Sequence, residues 1–362
     1  MAGLNMVTQA QVQSPGLASF RSATMKQITT GGSFTFTSLG SNTQFKVPAT
    51  GYLSRVRLLV QGTITIPATP TGSWISYPFL PHGLFSNIST YTSENAQIVN
   101  TTGLGLLVQE ITTAVATNPL VDPISANNTN NRAALYTAPS GVLTAGTFNI
   151  NCLLDVKNFT DDSAMLGLLN AQTVDTSIYI NVALANTVTT GTAPSAVNIT
   201  VTPVYEFFSV PNPQVAQQPD QSFAHLFLEE FYPVASNGAI QYKPAVGPIY
   251  MSLKGFVENN GAPLAPSAFG NVGITYAQTI SPYSEPYFAH VGRYKHYYGQ
   301  VLPDGMFCWD QTLGGGFPYV DNNRDLLNTS QQSDLYLSFN FSGVTWVNGG
   351  IRVWKEMLVA MV

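Results

Sequence analysis

An all-β chain of two tandem antiparallel sandwiches, with short helices in loops and at the N-terminus, is the fold class this sequence predicts. Three observations carry the prediction. The first is an internal echo: Leu168-Leu169-Asn170-Ala171-Gln172-Thr173-Val174-Asp175-Thr176-Ser177-Ile178-Tyr179-Ile180 returns, with one gap, as Leu326-Leu327-Asn328-Thr329-Ser330-Gln331-Gln332-Ser333-Asp334-Leu335-Tyr336-Leu337. In each copy a Leu-Leu-Asn corner and a Gln/Ser-rich turn lead into an alternating strand. A more distant strand follows, Asn198 to Phe207 and Gly350 to Met361, with Glu206 answering Glu356. A period of roughly 150 residues exceeds that of a solenoid repeat and fits whole domains. The second observation is length, since 362 residues make two domains of ordinary size. The third is a period-two alternation interrupted by Gly- and Pro-rich turns, which is the signature of short strands.

Along the chain, Ser14-Pro15 offers an N-cap with Pro at the first helical position, and Leu17, Phe20, Met25 and Ile28 recur at helical spacing. These predict a short amphipathic helix. From Gly31 the period changes to two: strands are expected at Ser33 to Thr37, Thr43 to Val47, Leu53 to Ile66, Leu84 to Thr92 and Ala96 to Thr101. Thr112 to Ala138, with Pro119, Pro123 and an Asn-rich tract, reads as a long surface excursion. Asn149 to Val156 is a strand, and Thr160-Asp161-Asp162 caps a short helix through Leu169. After Phe208, Pro211-Asn212-Pro213 and Gln214 to Gln221 read as a linker. The second half brings strands at Ser222 to Phe231, Ile249 to Glu258 and Val272 to Ile280, then a helix on which Tyr287, Val291, Tyr294 and Tyr298 share one face. That aromatic stripe, beside His290, Arg293, Lys295 and His296, has the spacing of a buried helix face; stacking on bases or sugars is the competing reading.

Each half has room for eight strands in two sheets, so the expected architecture is a pair of jelly rolls. The expected boundaries are an N-terminal arm at 1–30, a first jelly roll at 31–208, a linker at 209–221 and a second jelly roll at 222–362.

Only 9% of residues are charged, against about 25% in ordinary soluble proteins. A surface so poor in charge suits a chain largely covered by copies of itself. The net charge of −5 hides an asymmetry. No Asp or Glu precedes Glu94, yet Arg21, Lys26, Lys46, Arg55 and Arg57 do, so that stretch carries +5 and the remainder −10. Two readings follow: contact of the basic end with an anionic surface such as lipid headgroups, or pairing of these cations with the acidic remainder. Five scattered charges are not the dense block of a nucleic-acid arm.

Chemistry is mostly excluded. Cys152 and Cys308 sit in different halves and form no disulfide framework or zinc pattern. The N-terminus lacks an apolar run behind a charged start, so no signal peptide is expected, and no stretch of 18 apolar residues exists. Asp321, Asn323 and Asp325 match the opening of a calcium loop, but Leu326 replaces the required Gly and Gln332 the bidentate Glu. Gly314-Gly315-Gly316 lacks a following Lys-Ser/Thr. His82, His225, His290 and His296 show no metalloprotease spacing, and Glu229-Glu230 are adjacent carboxylates that rarely face one substrate. No catalytic constellation, metal site or cofactor is expected.

Several motifs carry a resemblance. Leu84-Phe85-Ser86-Asn87-Ile88-Ser89 to Asn100-Thr101-Thr102-Gly103, then Asp155 to Leu184 with its Asp-x-x-x-x-Gly-x-Leu pattern at Asp162 to Leu169, belong to the first half. In the second half they are the aromatic, basic helix ending at Tyr298, Leu302-Pro303-Asp304-Gly305-Met306-Phe307-Cys308-Trp309-Asp310, Arg324-Asp325 and Asp334-Leu335-Tyr336-Leu337-Ser338-Phe339. Together they resemble major capsid proteins of tectivirus-type phages, icosahedral double-stranded DNA viruses with an internal membrane. The resemblance covers most of residues 30–362. It implies a double jelly roll whose three copies form a pseudo-hexagonal homotrimer, with trimers tiling a shell in the virion assembled in the host cytoplasm. It also implies contacts with neighbouring trimers and minor capsid proteins, an N-terminal region with Arg21 and Lys26 toward the inner membrane, and no sequence-specific nucleic acid. Loops Pro67 to Ser76 and Thr187 to Ser195 are the candidates for outer towers. The alternative class is an oligomeric receptor- or carbohydrate-binding sandwich of spike type, because sandwich folds host many functions.

Overall fold

The structure is a computed structural model and describes residues 19–75, 81–94, 96–113, 142–156, 168–172, 177–219, 223–276, 280–298, 302–310, 327–330 and 332–360. A helical turn, α1 (Phe20–Ala23), precedes β1 (Lys26–Thr30), β2 (Phe34–Phe36), β3 (Asn42–Lys46) and β4 (Tyr52–Ile66). Next come β5 (Phe85–Thr92), β6 (Gln97–Thr101), α2 (Gly103–Thr113), β7 (Gly146–Val156), β8 (Leu169–Asn170), β9 (Ile178–Leu184) and β10 (Ala196–Phe208). The second half contains β11 (Phe223–Pro233), β12 (Gly238–Tyr242), β13 (Ile249–Asn259), β14 (Ala262–Pro263), β15 (Phe269–Tyr276) and β16 (Ile280–Pro286). It closes with α3 (Tyr287–Tyr298), β17 (Met306–Asp310), β18 (Leu327–Asn328), β19 (Leu335–Phe341) and β20 (Gly350–Ala360).

The first barrel packs sheet β1-β10-β4-β7, with β2 also on β10, against strands β3, β9, β5 and β6. Alternating residues of both sheets fill its core, among them Val56, Leu58 and Val60 of β4, Ile199 and Val201 of β10, and Ile180 and Val182 of β9. The second barrel packs β11, β20, β13 and β17 against β12-β19-β15-β16. Its core is more aromatic, with Tyr242, Tyr250, Phe307, Trp309, Phe339 and Phe341. Each aliphatic side chain taken fully from water in these layers contributes about 1.5–3 kcal/mol. The chain is a double jelly roll.

The barrels share a sheet. β6, the last strand of the first barrel's second sheet, pairs in parallel with β11, so one twisted surface runs from β3 through to β13. The face that lines the first barrel's interior becomes the outer face of the second barrel: Phe227, Phe256, Met306, Cys308 and Trp354 belong to the first barrel's core cluster. The candidate tower loops are tied to each other, because Trp74 bridges Thr189 and the Ser73 N–H donates to Thr190 Oγ1 at 2.9 Å.

Four sequence expectations are corrected. The N-terminal helical spacing does not extend to Ile28; the helix within the described residues is α1, capped by Ser19, and Lys26–Thr30 is a strand. Its β-branched Ile28-Thr29-Thr30 run is held by pairing with β10, which also brings the last residues of the expected arm into the first sheet. Leu169 is a strand residue paired with Leu53 rather than the end of a helix; residues 157–167 lie outside the described residues. Residues 103–113 form α2, so Thr112 is helical, and 114–141 lie outside the described residues. The strand expected from Val272 to Ile280 ends at Tyr276, and Ile280 opens β16.

Candidate functional site

The most elaborate cluster of polar groups lies on the outer face of the second barrel, where the two barrels meet. The positions of β11, β13 and β20 that face the second barrel's interior are mostly apolar, and the alternate positions, part of which α2 covers, mix apolar Phe227, Phe256 and Trp354 with charged Glu229, Lys254, Arg352 and Glu356. Glu229 of β11 sits at the centre. Its Oε2 accepts from Thr101 Oγ1 at 3.1 Å, from the Thr102 N–H at 2.5 Å and from Trp354 Nε1 at 2.9 Å. Its Oε1 accepts from Arg352 Nη1 at 2.8 Å, and Arg352 Nη2 reaches Glu258 Oε1 at 2.7 Å. A carboxylate of the second barrel thereby closes the orphan N–H at the head of α2 in the first. Gly105 permits the approach: a Cβ there would lie 1.8 Å from Thr101 Oγ1 and 2.1 Å from Trp354 Nε1.

One strand pair away, Glu356 accepts from Ser252 Oγ at 2.8 Å and from Lys254 Nζ at 3.2 Å, and lies 3.1 Å from His225 Nε2. Lys254 is 1% exposed. Burial alone would push the Glu356 carboxyl up, but Lys254, His225 and Ser252 outweigh it and hold the group well below the usual carboxylate range. Burial opposes the Lys254 charge in the same way, and Glu356 with Asp310 outweighs it to raise the ammonium above its ordinary value. Burial pushes the Cys308 thiol up, which leaves it a poor nucleophile.

α3 is fixed by a third cluster. The Cys308 N–H donates to His290 Nε2 at 3.0 Å, so the neutral ring carries its proton on Nδ1 and donates it to Glu285 Oε1 at 2.9 Å. Arg293 Nη2 shares that oxygen at 2.5 Å. Burial, the larger effect, lowers the His290 pKa, and Glu285 opposes it. The Tyr287 and Tyr294 side chains are buried, the packing reading of the aromatic stripe.

Lys26, singled out by sequence, lies in β1 with Nζ 2.8 Å from Glu206 Oε2; Arg57 pairs with the other oxygen. Arg55 lies 3.7 Å from Asp155. Three of the five N-terminal cations are therefore paired with acidic residues of the remainder. Arg21 lies in α1, and Asp321, Asn323 and Asp325 lie outside the described residues. Among the described residues no group of three or more His, Cys, Asp or Glu side chains is placed to hold a metal ion, and no helix is long and apolar enough to cross a membrane. Sequence reasoning missed Glu229, Arg352 and Trp354 as a unit, since nothing local ties them to Thr101. Glu206 and Glu356 were legible as counterparts through the repeat.

No family model and no curated protein matches the sequence. Solved structures do. The major capsid protein of Sulfolobus turreted icosahedral virus superposes with a TM-score of 0.66 at 15% identity, covering 91% of this chain and 97% of that one. PBCV-1 Vp54 gives 0.64 at 10% identity over 92% and 93%. The major capsid protein P2 of bacteriophage PM2 gives 0.51 at 12% identity over 92% and 97%. At these identities the likeness is one of fold: this chain is a double jelly roll of the kind found in viral major capsid proteins.

Proposed function

We propose that this chain is a structural major capsid protein of an icosahedral virus of the tectivirus type, assembling as homotrimers that tile a shell around an internal membrane. The observation that carries the proposal is the continuous junction between the barrels. Two similar barrels joined head to tail by a buried network make one rigid third of a six-barrel ring, and a fold shared with viral major capsid proteins supports that use. In this reading residues 31–208 and 222–362 are the two jelly rolls, and 209–221 connects them. The N-terminal region, including Arg21 and Lys26, faces the membrane, while neighbouring trimers and minor capsid proteins are the remaining partners. The chain works by geometry and carries out no catalysis; it resides in the virion after assembly in the host cytoplasm.

Negative-stain imaging of the purified protein tests the proposal: particles of hexagonal outline are expected, and isolated two-lobed particles would contradict it. Arg21→Glu, a change outside β1, should preserve those particles while weakening their binding to vesicles containing anionic lipid; unchanged binding would remove the membrane-facing role.

A further inference from the structure

We infer that the outer face of the first barrel's β1-β10-β4-β7 sheet is the docking surface for the second barrel of another copy of this chain, with β16 of that copy adding in parallel to β1. The inference rests on the trimer reading and names its interface. Its template is the junction inside the chain. There β6 pairs in parallel with β11, Val99 opposite Phe227 and Asn100 opposite Leu228. α2, which follows β6, lays Leu104, Leu107 and Val108 over Phe256, Met306 and Trp354. This contact is heterologous, one side of a barrel against the other side of the next, and such a contact repeats from copy to copy, forming a ring where its rotation closes.

Among the described residues each chain carries one half of this contact at either end, on a strand that is last in its sheet. β1 is the terminal strand of its sheet and β16 the terminal strand of its own, among the described residues. Terminal strands present backbone groups to any strand that can add to them. Register identifies both as counterparts of the strands in the internal junction. Ile28 stands opposite Glu206 as Phe227 stands opposite Glu356. Arg57 stands opposite Val204 as Lys254 stands opposite Trp354. Leu153 stands opposite Leu59 as Met306 stands opposite Phe256. On the other side, the β5·β6 ladder shifts register just after the Thr90–Val99 pair, and the β15·β16 ladder just after Ile274–Tyr283. Tyr283 and Ser284 thus answer Val99 and Asn100, and four residues on Phe288 answers Leu104.

Exposure gives this correspondence its force. Phe227 and Met306 are each 1% exposed beneath the first barrel, whereas their counterparts Ile28 and Leu153 are 64% and 48% exposed. Phe288, the counterpart of Leu104, is 87% exposed. Ile28, Leu153 and Phe288 are three of the twelve large apolar side chains exposed among the described residues, and the counterparts of all three lie in the internal junction. In the assembled ring Tyr283 stands opposite Ile28 and Ser284 opposite Thr29 of the next copy, and Phe288 packs on Leu153.

The test uses the full chain and its mass in solution. Wild type is expected at three times 38.9 kDa, and Phe288→Asp and Leu153→Asp at one copy with an unchanged β-rich circular dichroism spectrum. Trimers that persist in both variants would overturn this interface and leave the trimer reading standing; a monomeric wild type would overturn both. The double variant Ile28→Cys with Tyr283→Cys gives an independent readout, because native Cys152 and Cys308 are buried. Oxidation should produce a non-reducing ladder ending at three chains. Exclusive monomer after oxidation would overturn the β1–β16 pairing.

Discussion

Glu206 and Glu356 hold the same place in the two barrels, each on the last strand and each between a basic side chain on the first strand and another on the strand paired on its other side, β4 or β13. Lys26 and Arg57 serve Glu206; His225 and Lys254 serve Glu356. What differs is water. Lys26 and Arg57 are 42% and 29% exposed, while Lys254 is 1% exposed because the first barrel covers it. Within one chain a duplicated ion cluster has both basic partners buried in one barrel, while in the other a buried Glu206, 2% exposed, is held by cations that reach solvent. Covering a face, rather than changing its register, is what separates the two barrels.

Four measurements break or sharpen that comparison. Glu356→Ala takes from buried Lys254 its nearest counter-charge and leaves it only the weaker influence of Asp310, so chemical denaturation should show a loss of about 3–4 kcal/mol. Gly105→Ala drives a methyl group into Thr101 and Trp354 and should cost about 2–3 kcal/mol. Its tryptophan fluorescence should shift to the red as the junction opens. Glu206→Ala, read on single chains, should cost less, about 1.5 kcal/mol, because the carboxylate is buried but the half-exposed Lys26 and Arg57 can turn to solvent once it is gone. A cost equal to that of Glu356→Ala would mean that this face is covered as well.

The smallest effect concerns pH. His290 has a folded-state pKa below its unfolded value, so the unfolded chain takes up the proton first. The stability its neutral form contributes is complete above about pH 6.5 and falls as pH drops through the folded value, by at most about 1.4 kcal/mol per pH unit. Melting curves of wild type should therefore lose more stability between pH 7.5 and 5.5 than those of His290→Gln. Parallel losses in the two proteins would detach the effect from α3.

β4 was legible almost to its ends because burial of one face imposes period two on it; β20, buried on both faces, was legible through the repeat. α2 was not, because Gly103 and Gly105 look like helix breakers in a linear sequence. The space they leave is filled only in three dimensions, Gly103 by the His82 carbonyl and Gly105 by Trp354. β1 was mistaken for helix because Leu17, Phe20, Met25 and Ile28 recur at roughly helical spacing; the strand is set by pairing with β10, nearly the whole barrel later in the chain. The paired glutamates showed through the repeat. The Glu229 network did not, since its partners Thr101 and Arg352 become neighbours only once the two barrels share a sheet.

The most direct test of the central claim is the mass of the purified full-length chain by multi-angle light scattering across a tenfold concentration range. The account predicts a stable species at three times 38.9 kDa throughout. A single species at 38.9 kDa at the highest concentration would contradict it.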